Sequence, residues 1–61
     1  MELILGNKYI IEYVKGARPI IKVKVIEVTG QTYHLMNMDS AVPFRIKKTK
    51  LIEDYNIIEK L

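Results

Sequence analysis

The residues that could carry acid–base or metal chemistry are few in this sequence. His34 is the single histidine and the chain has no cysteine, so the common ligand sets of a zinc site are missing. Glu53 and Asp54 are adjacent carboxylates, but sequence neighbours point apart, and a small core gives little desolvation to separate their pKa values. We expect these two acids to cap a helix or to be solvated. Ser40 follows Asp39 in a stretch typical of a tight turn. The sequence therefore predicts no enzyme, no cofactor and no metal site.

A cluster of cations is the strongest candidate for recognition. Residues 41–50 contain four cations and no acid, whereas the rest of the chain holds six cations and seven acids. Such cations could contact successive phosphates of a nucleic acid. The nucleic-acid-binding candidates are Arg18, Lys22, Lys24, Arg45, Lys47, Lys48 and Lys50. The nearest aromatic residues, Tyr33 and Phe44, are expected inside the core, so charge alone supports this interface. The alternative is a solvated strand end whose lysines protect an edge from aggregation.

A small apolar patch is the second candidate surface. The strand register predicted below puts Met36 beside Pro43 on the outer face of the sheet, and His34 beside Arg45 in the next row. Methionine is adaptable and frequent at contact surfaces. The protein-binding candidates are Val25, His34, Met36, Pro43 and Arg45. The alternative is that the N-terminal residues or the loop at 15–19 cover Met36.

The chain length predicts one domain over residues 1–61. A chain of this size buries only about 60% of its unfolded surface. Disulfides and a zinc site are excluded as sources of extra stability. Closing a sheet into a barrel, or binding another protein or a second copy, would compensate for the small core. No apolar run approaches the ~18 residues of a membrane span, and the first residues lack the basic region of a signal peptide. We therefore expect a soluble, cytoplasmic protein, in keeping with the absence of cysteine.

Alternating apolar and polar residues predict an all-β chain. The first strand is expected over 7–14 and the second, the longest, over 20–29. In the second strand the apolar parity switches near Val25, which indicates a bulge or sharp bend. Residues 48–54 fit one 3₁₀ turn, with an apolar residue plugging the core. Residues 55–61 read as a last strand, with a short C-terminal helix as the rival interpretation.

Two tight connections predict the register of the middle strands. Residues 29–32 favour a two-residue hairpin with Gly30 in a type II′ turn, and residues 38–41 form the next loop. The predicted cross-strand pairs are Val28–Tyr33, Glu27–His34, Ile26–Leu35, Asn37–Val42, Leu35–Phe44 and Tyr33–Ile46. Pro43 cannot donate to a ladder, so its strand is expected at an edge of the sheet.

The stretch Phe44-Arg45-Ile46-Lys47-Lys48-Thr49-Lys50-Leu51 looks like the passage of an SH3-like barrel from strand four through a 3₁₀ turn to strand five. With a bent second strand and tight hairpins, nearly the whole chain resembles a small five-stranded SH3-like β-barrel protein. The resemblance is architectural. The tryptophans and acidic loop of proline-recognising SH3 domains are missing, and so is the glycine motif of the similar KOW-type nucleic-acid modules. Small barrels of this kind are also common among phage and plasmid proteins.

The absence of catalytic groupings and the apolar patch together predict a non-enzymatic protein-binding or adaptor module. The alternative is a nucleic-acid-binding module that uses the cations of residues 45–50 together with Lys22 and Lys24. These two hypotheses differ in salt dependence, because only phosphate contacts release counterions.

Overall fold

The computed structural model describes residues 2–61, which form five strands and one helix. The elements are β1 (Lys8–Tyr13), β2 (Ile20–Val28), β3 (Thr32–Asn37), β4 (Val42–Lys47), α1 (Lys48–Asp54) and β5 (Tyr55–Lys60). All strand pairs are antiparallel, in the order β4-β3-β2-β1-β5. The predicted all-β class is confirmed, and the C-terminal segment is a strand rather than a helix.

The sheet is open, with β4 and β5 as its two edges. The closed barrel expected from the sequence is therefore not confirmed. The predicted 3₁₀ turn between the edge strands is wrong, because residues Lys48–Asp54 form a seven-residue α-helix. Leu51 in this helix is buried, as expected, whereas Val42 at the start of β4 is 57% exposed and contributes little to the core. The position of Pro43 on an edge strand is confirmed.

β2 joins the two halves of the sheet. Its residues Val23 and Lys24 pair with β1 on one side and with β3 on the other. The register with β3 shifts between Val25 and Glu27, so Ile26 is the extra residue of a β-bulge. The predicted bulge is confirmed, but the predicted pairing of Ile26 with Leu35 is wrong, since Val25 takes that place.

The two hairpin loops fix the register of β3. The N–H of Thr29 donates to the C=O of Thr32 (2.9 Å), which confirms a two-residue loop. The type II′ assignment is wrong, because Gly30 does not take the positive φ that this turn requires. In the next loop, the side-chain oxygen of Asn37 accepts from the backbone N–H of Asp39 (2.9 Å) and of Ser40 (3.2 Å). All predicted pairs between β3 and β4 are confirmed.

The core lies on one face of the sheet. Its buried apolar residues are Leu3, Tyr9, Ile11, Val23, Val25, Tyr33, Leu35 and Leu51. Since a flat sheet would leave this face in water, the sheet must curve around its own apolar side. Two buried tyrosine hydroxyls fasten the N-terminal segment: Tyr33 accepts from the N–H of Leu3 (3.2 Å), and Tyr9 accepts from that of Ile4 (3.0 Å). These bonds satisfy polar groups that burial would otherwise penalise.

Candidate binding surface on the outer face of the sheet

A continuous row of side chains crosses the outer face of four strands. Pro43 pairs with Met36, Met36 with Lys24, and Lys24 with Lys8. Their neighbours along each strand point into the core, so these side chains point outward. Met36 and Lys24 are half-buried, and Pro43 and Lys8 are exposed. The predicted contact between Met36 and Pro43 thus lies on an outer surface that also carries lysine.

The next row contains the predicted group of His34, Glu27 and Arg45. The guanidinium Nη1 of Arg45 donates to Oε1 of Glu27 at 3.1 Å, and Nδ1 of His34 lies 3.8 Å from the same oxygen. Glu27 therefore takes up part of the positive charge of this row. His34 remains a cross-strand surface group between two charged neighbours, as the sequence predicted.

The three lysines of β1 and β2 on this face form no ion pair among the described residues. Within residues 2–61, no carboxylate oxygen lies within 4.0 Å of the ammonium of Lys8, Lys22 or Lys24. Lys8 and Lys24 are also direct cross-strand partners, and like charges in that position destabilise a sheet. We call Lys8, Lys22 and Lys24 the outer-face lysines. Their arrangement opposes stability, which makes them candidates for binding an anionic partner.

The cations at 45–50 do not form one surface, contrary to the sequence prediction. Arg45 and Lys47 belong to the outer face, and Arg45 is paired with Glu27. The Lys48 ammonium instead lies 5.1 Å from the centre of the Tyr33 ring, a cation–π contact at the core side of the sheet. Lys50 Nζ lies 3.4 Å from an oxygen of Asp54. The start of α1 after Lys47 separates these cations, since helical and strand side chains follow different periods.

Two other predicted site residues lie away from the outer face. Val25 is 0% exposed and belongs to the core, so it cannot take part in a protein-binding patch. The register predicted from the sequence paired Ile26 with Leu35 and therefore put the bulge before Val25. The bulge follows Val25 instead, so Val25 keeps the inward facing of Val23. Arg18 lies in the β1–β2 loop, with Nε 3.9 Å from a carboxylate oxygen of Glu12.

A buried carboxylate, which the sequence predicted to cap a helix or to be solvated, lies at the end of α1. Asp54 is 5% exposed, and Lys15 Nζ lies 2.8 Å from its Oδ1. The hydrogen bond from Lys15 holds the pKa of Asp54 below its usual value, against the opposing effect of burial, and Lys50 adds to it. The same contact raises the pKa of Lys15. Only the lysine four residues before Asp54 was a sequence signal for this cluster.

The aromatic pair beside this cluster is part of the same end of the sheet. Tyr13 and Tyr55 are cross-strand partners whose ring centres are 5.2 Å apart. Burial raises the pKa of the Tyr55 hydroxyl, and Tyr13 and Asp54 contribute in the same direction. The pair packs the junction between α1 and β5.

The described residues place apolar and cationic side chains side by side on the outer face of the sheet. Among residues 2–61, no three side chains of the metal-ligating types come together in a group that could hold an ion. In that part of the chain, α1 is also far too short to cross a membrane. Comparisons with protein-family models, with curated proteins and with solved structures find no match. The arrangement of the residues themselves therefore carries the functional argument.

Proposed function

We propose that this protein is a non-enzymatic protein-binding or adaptor module that binds through the outer face of its sheet. The observation that carries the proposal is the row in which Pro43 and Met36 continue directly into Lys24 and Lys8. An apolar half that continues into a cationic half suits a protein segment that has acidic residues beside apolar ones. The strand order and the bulged β2 support the SH3-like interpretation of the fold within an open sheet.

The energetic argument concerns the outer-face lysines. In the free protein, the like charges of Lys8 and Lys24 face each other across two strands and lower the stability of the sheet. An acidic partner would remove that cost and gain attraction, so the repulsion in the free state favours the bound state. Met36 adds a flexible apolar side chain that adapts to the partner surface.

A quantitative pull-down from the source cells tests this proposal. We expect specific partners to be retained by the wild-type protein and lost with Lys24→Glu and with Met36→Asp. Arg18→Glu is the matched control, because it brings the same change of charge to a loop away from the outer face. Recovery of no protein partner, or a partner set that ignores both outer-face substitutions, would contradict the proposal.

Nucleic-acid binding is a second candidate, favoured by the location of Lys22 and Lys24. These lysines share the outer face with Arg45 and Lys47, so several cations point in one direction. A polyanionic backbone could contact them in succession. Such binding would depend on charge alone, because Tyr33 and the half-buried Phe44 lie on the core side, where they cannot stack on bases.

Fluorescence anisotropy with single- and double-stranded oligonucleotides discriminates between the two candidates. If phosphates are bound, affinity falls steeply with salt, and Lys22→Gln reduces the slope of log K against log salt by about 0.9 for a lost duplex phosphate contact. Lys50→Gln is the control, because Lys50 is engaged with Asp54 and lies off this face. Absence of binding to either oligonucleotide at low salt would exclude the candidate.

A further inference from the structure

The two edges of the open sheet differ in their capacity to accept another strand. The N–H of Ala41 donates to the C=O of Asn37, and the N–H of Lys48 to the C=O of Gln31, which fixes the alternation of the β3–β4 ladder. Pro43 then lies at a position whose backbone groups point away from β3. Because proline has no N–H, this edge lacks a hydrogen-bond donor at that position. The cations of β4 further disfavour pairing with another strand.

The edge of β5 offers free backbone groups beside an apolar surface. The N–H of Val14 donates to the C=O of Asp54 (2.8 Å), so the backbone groups of Tyr55 and Ile57 alternate away from β1. The N–H of Tyr55 bonds to the C=O of Leu51 at the end of α1. The C=O of Tyr55 and both groups of Ile57 are therefore available to an added strand.

A pocket of about 240 Å³ lies against this edge, lined by Leu51, Ile52, Tyr55, Asn56 and Ile57. Ile52 is 73% exposed, the highest fraction among the large apolar side chains of residues 2–61. Ile57 packs against the core but is only half-buried. Burying such side chains on association is favourable.

We propose that β5 is a self-association edge, to which the β5 strand of a second copy of this chain adds in antiparallel orientation. Ile57 lies opposite Ile57 of the other copy, and the C-terminal end of each β5 covers the pocket beside Ile52 of the other copy. The contact is isologous, as in most homodimers. It extends the sheet across two copies through main-chain hydrogen bonds.

The charge at the two ends of β5 selects a second copy as the occupant. Glu53 precedes the strand, Lys60 ends it, and both are exposed. The register with β1 shifts at Ile58, so the three residue-to-residue steps from Ile57 to Lys60 span the distance of two such steps on a regular strand. Antiparallel pairing about Ile57 therefore brings Lys60 of each copy opposite Tyr55 of the other, at the end of the strand that follows Glu53 and the last turn of α1. The strand is complementary to itself in charge as well as in apolar character.

Sedimentation equilibrium over a series of protein concentrations tests this assembly. We expect the wild-type mass to rise with concentration from one chain to two. Ile52→Lys should abolish the rise, because it places a charge in each apolar contact. Val42→Lys is the control, since Val42 is similarly exposed but lies on the opposite edge strand. A wild-type protein that stays monomeric up to near-millimolar concentration overturns the proposal.

A charge exchange tests the register. Lys60→Glu should weaken the dimer, and Glu53→Lys combined with Lys60→Glu should restore it. Circular dichroism confirms that each variant is folded, and both positions are exposed. Restoration supports the antiparallel arrangement, and a double variant as weak as the single one overturns it. The assembly goes beyond the proposed function, because it leaves the outer face open, and partner binding there can fail or succeed independently of it.

Discussion

At the scale of single residues, Asp54 shows how a charged group can hold two elements together. Its carboxylate contacts Lys15 from the β1–β2 loop and Lys50 from its own helix, and its C=O accepts from the N–H of Val14. Burying a carboxylate without partners would cost free energy, and the two lysines offset that cost. They join the end of β1 to the start of β5.

The lowered pKa of Asp54 makes stability depend on pH. A carboxyl whose folded pKa lies below its unfolded value of about 3.9 stabilises the fold above that value, and the contribution is lost as pH falls towards the folded pKa. Urea unfolding at a series of acidic pH values should show a falling free energy of unfolding for the wild type. Asp54→Asn should be less stable near neutral pH and less sensitive to acid. The exposed Asp39→Asn is the control, and an unchanged pH profile in Asp54→Asn would contradict the role of this contact.

Ala41 is a second residue whose backbone carries a cost. Its φ is 59°, in the left-handed region that favours glycine. We expect Ala41→Gly to raise the free energy of unfolding by up to about 1 kcal/mol, because the relief of strain exceeds the added entropy of the unfolded chain. Ala17 has no positive φ, so Ala17→Gly should destabilise instead. Denaturant midpoints measure both changes, and destabilisation by Ala41→Gly would show that the loop tolerates alanine without strain.

At the scale of elements, the parts of the fold that depend on local signals were predictable. Loop length and apolar alternation gave the pairing of β3 with β4, because a turn and a buried face must agree on one register. The bulge was visible as a switch of parity, but its position was uncertain by one residue, since Val25 and Ile26 are both apolar. This single shift moved Val25 from the patch to the core. The burial of Asp54 involves a non-local contact with Lys15, which no local pattern reports.

The predicted core positions of β3 and β4 should differ in their energetic weight. Leu35 is fully buried, whereas Ile46 is half-buried on an edge strand. Both substitutions to alanine should cost within about 2–5 kcal/mol, with Leu35→Ala near the upper limit and Ile46→Ala near the lower one. Chemical denaturation gives the two values. Equal losses would mean that the open edge of the sheet is as well packed as its centre.

At the scale of the whole molecule, the distribution of charge matters more than its sum. The net charge is +3, yet Glu27, Asp54 and the Tyr33 ring each contact a cation of the same chain. The charge that remains available is concentrated on the outer face, while the apolar surface at the edge of β5 lies elsewhere. The sequence located the cations but not this division, which depends on how α1 turns away from β4. A small protein can in this way present two separate surfaces.

The repulsion among the outer-face lysines should be measurable in the free protein. Because Lys8 and Lys24 are opposed across two strands, Lys24→Gln should raise the free energy of unfolding at low salt by about 0.2–1 kcal/mol. Added sodium chloride screens the interaction, so the difference from the wild type should shrink as salt rises. Lys47→Gln removes the same charge from β4, where the cross-strand partner is the neutral Thr32, and is the control. A destabilising Lys24→Gln at low salt would mean that the lysine stem contributes more by packing than its charge costs, and the argument for an anionic partner from repulsion would fail. A gain in the free energy of unfolding from Lys24→Gln that disappears with salt would instead show that the charge of Lys24 lowers the stability of the free protein. That result is expected if the charge serves to bind a partner.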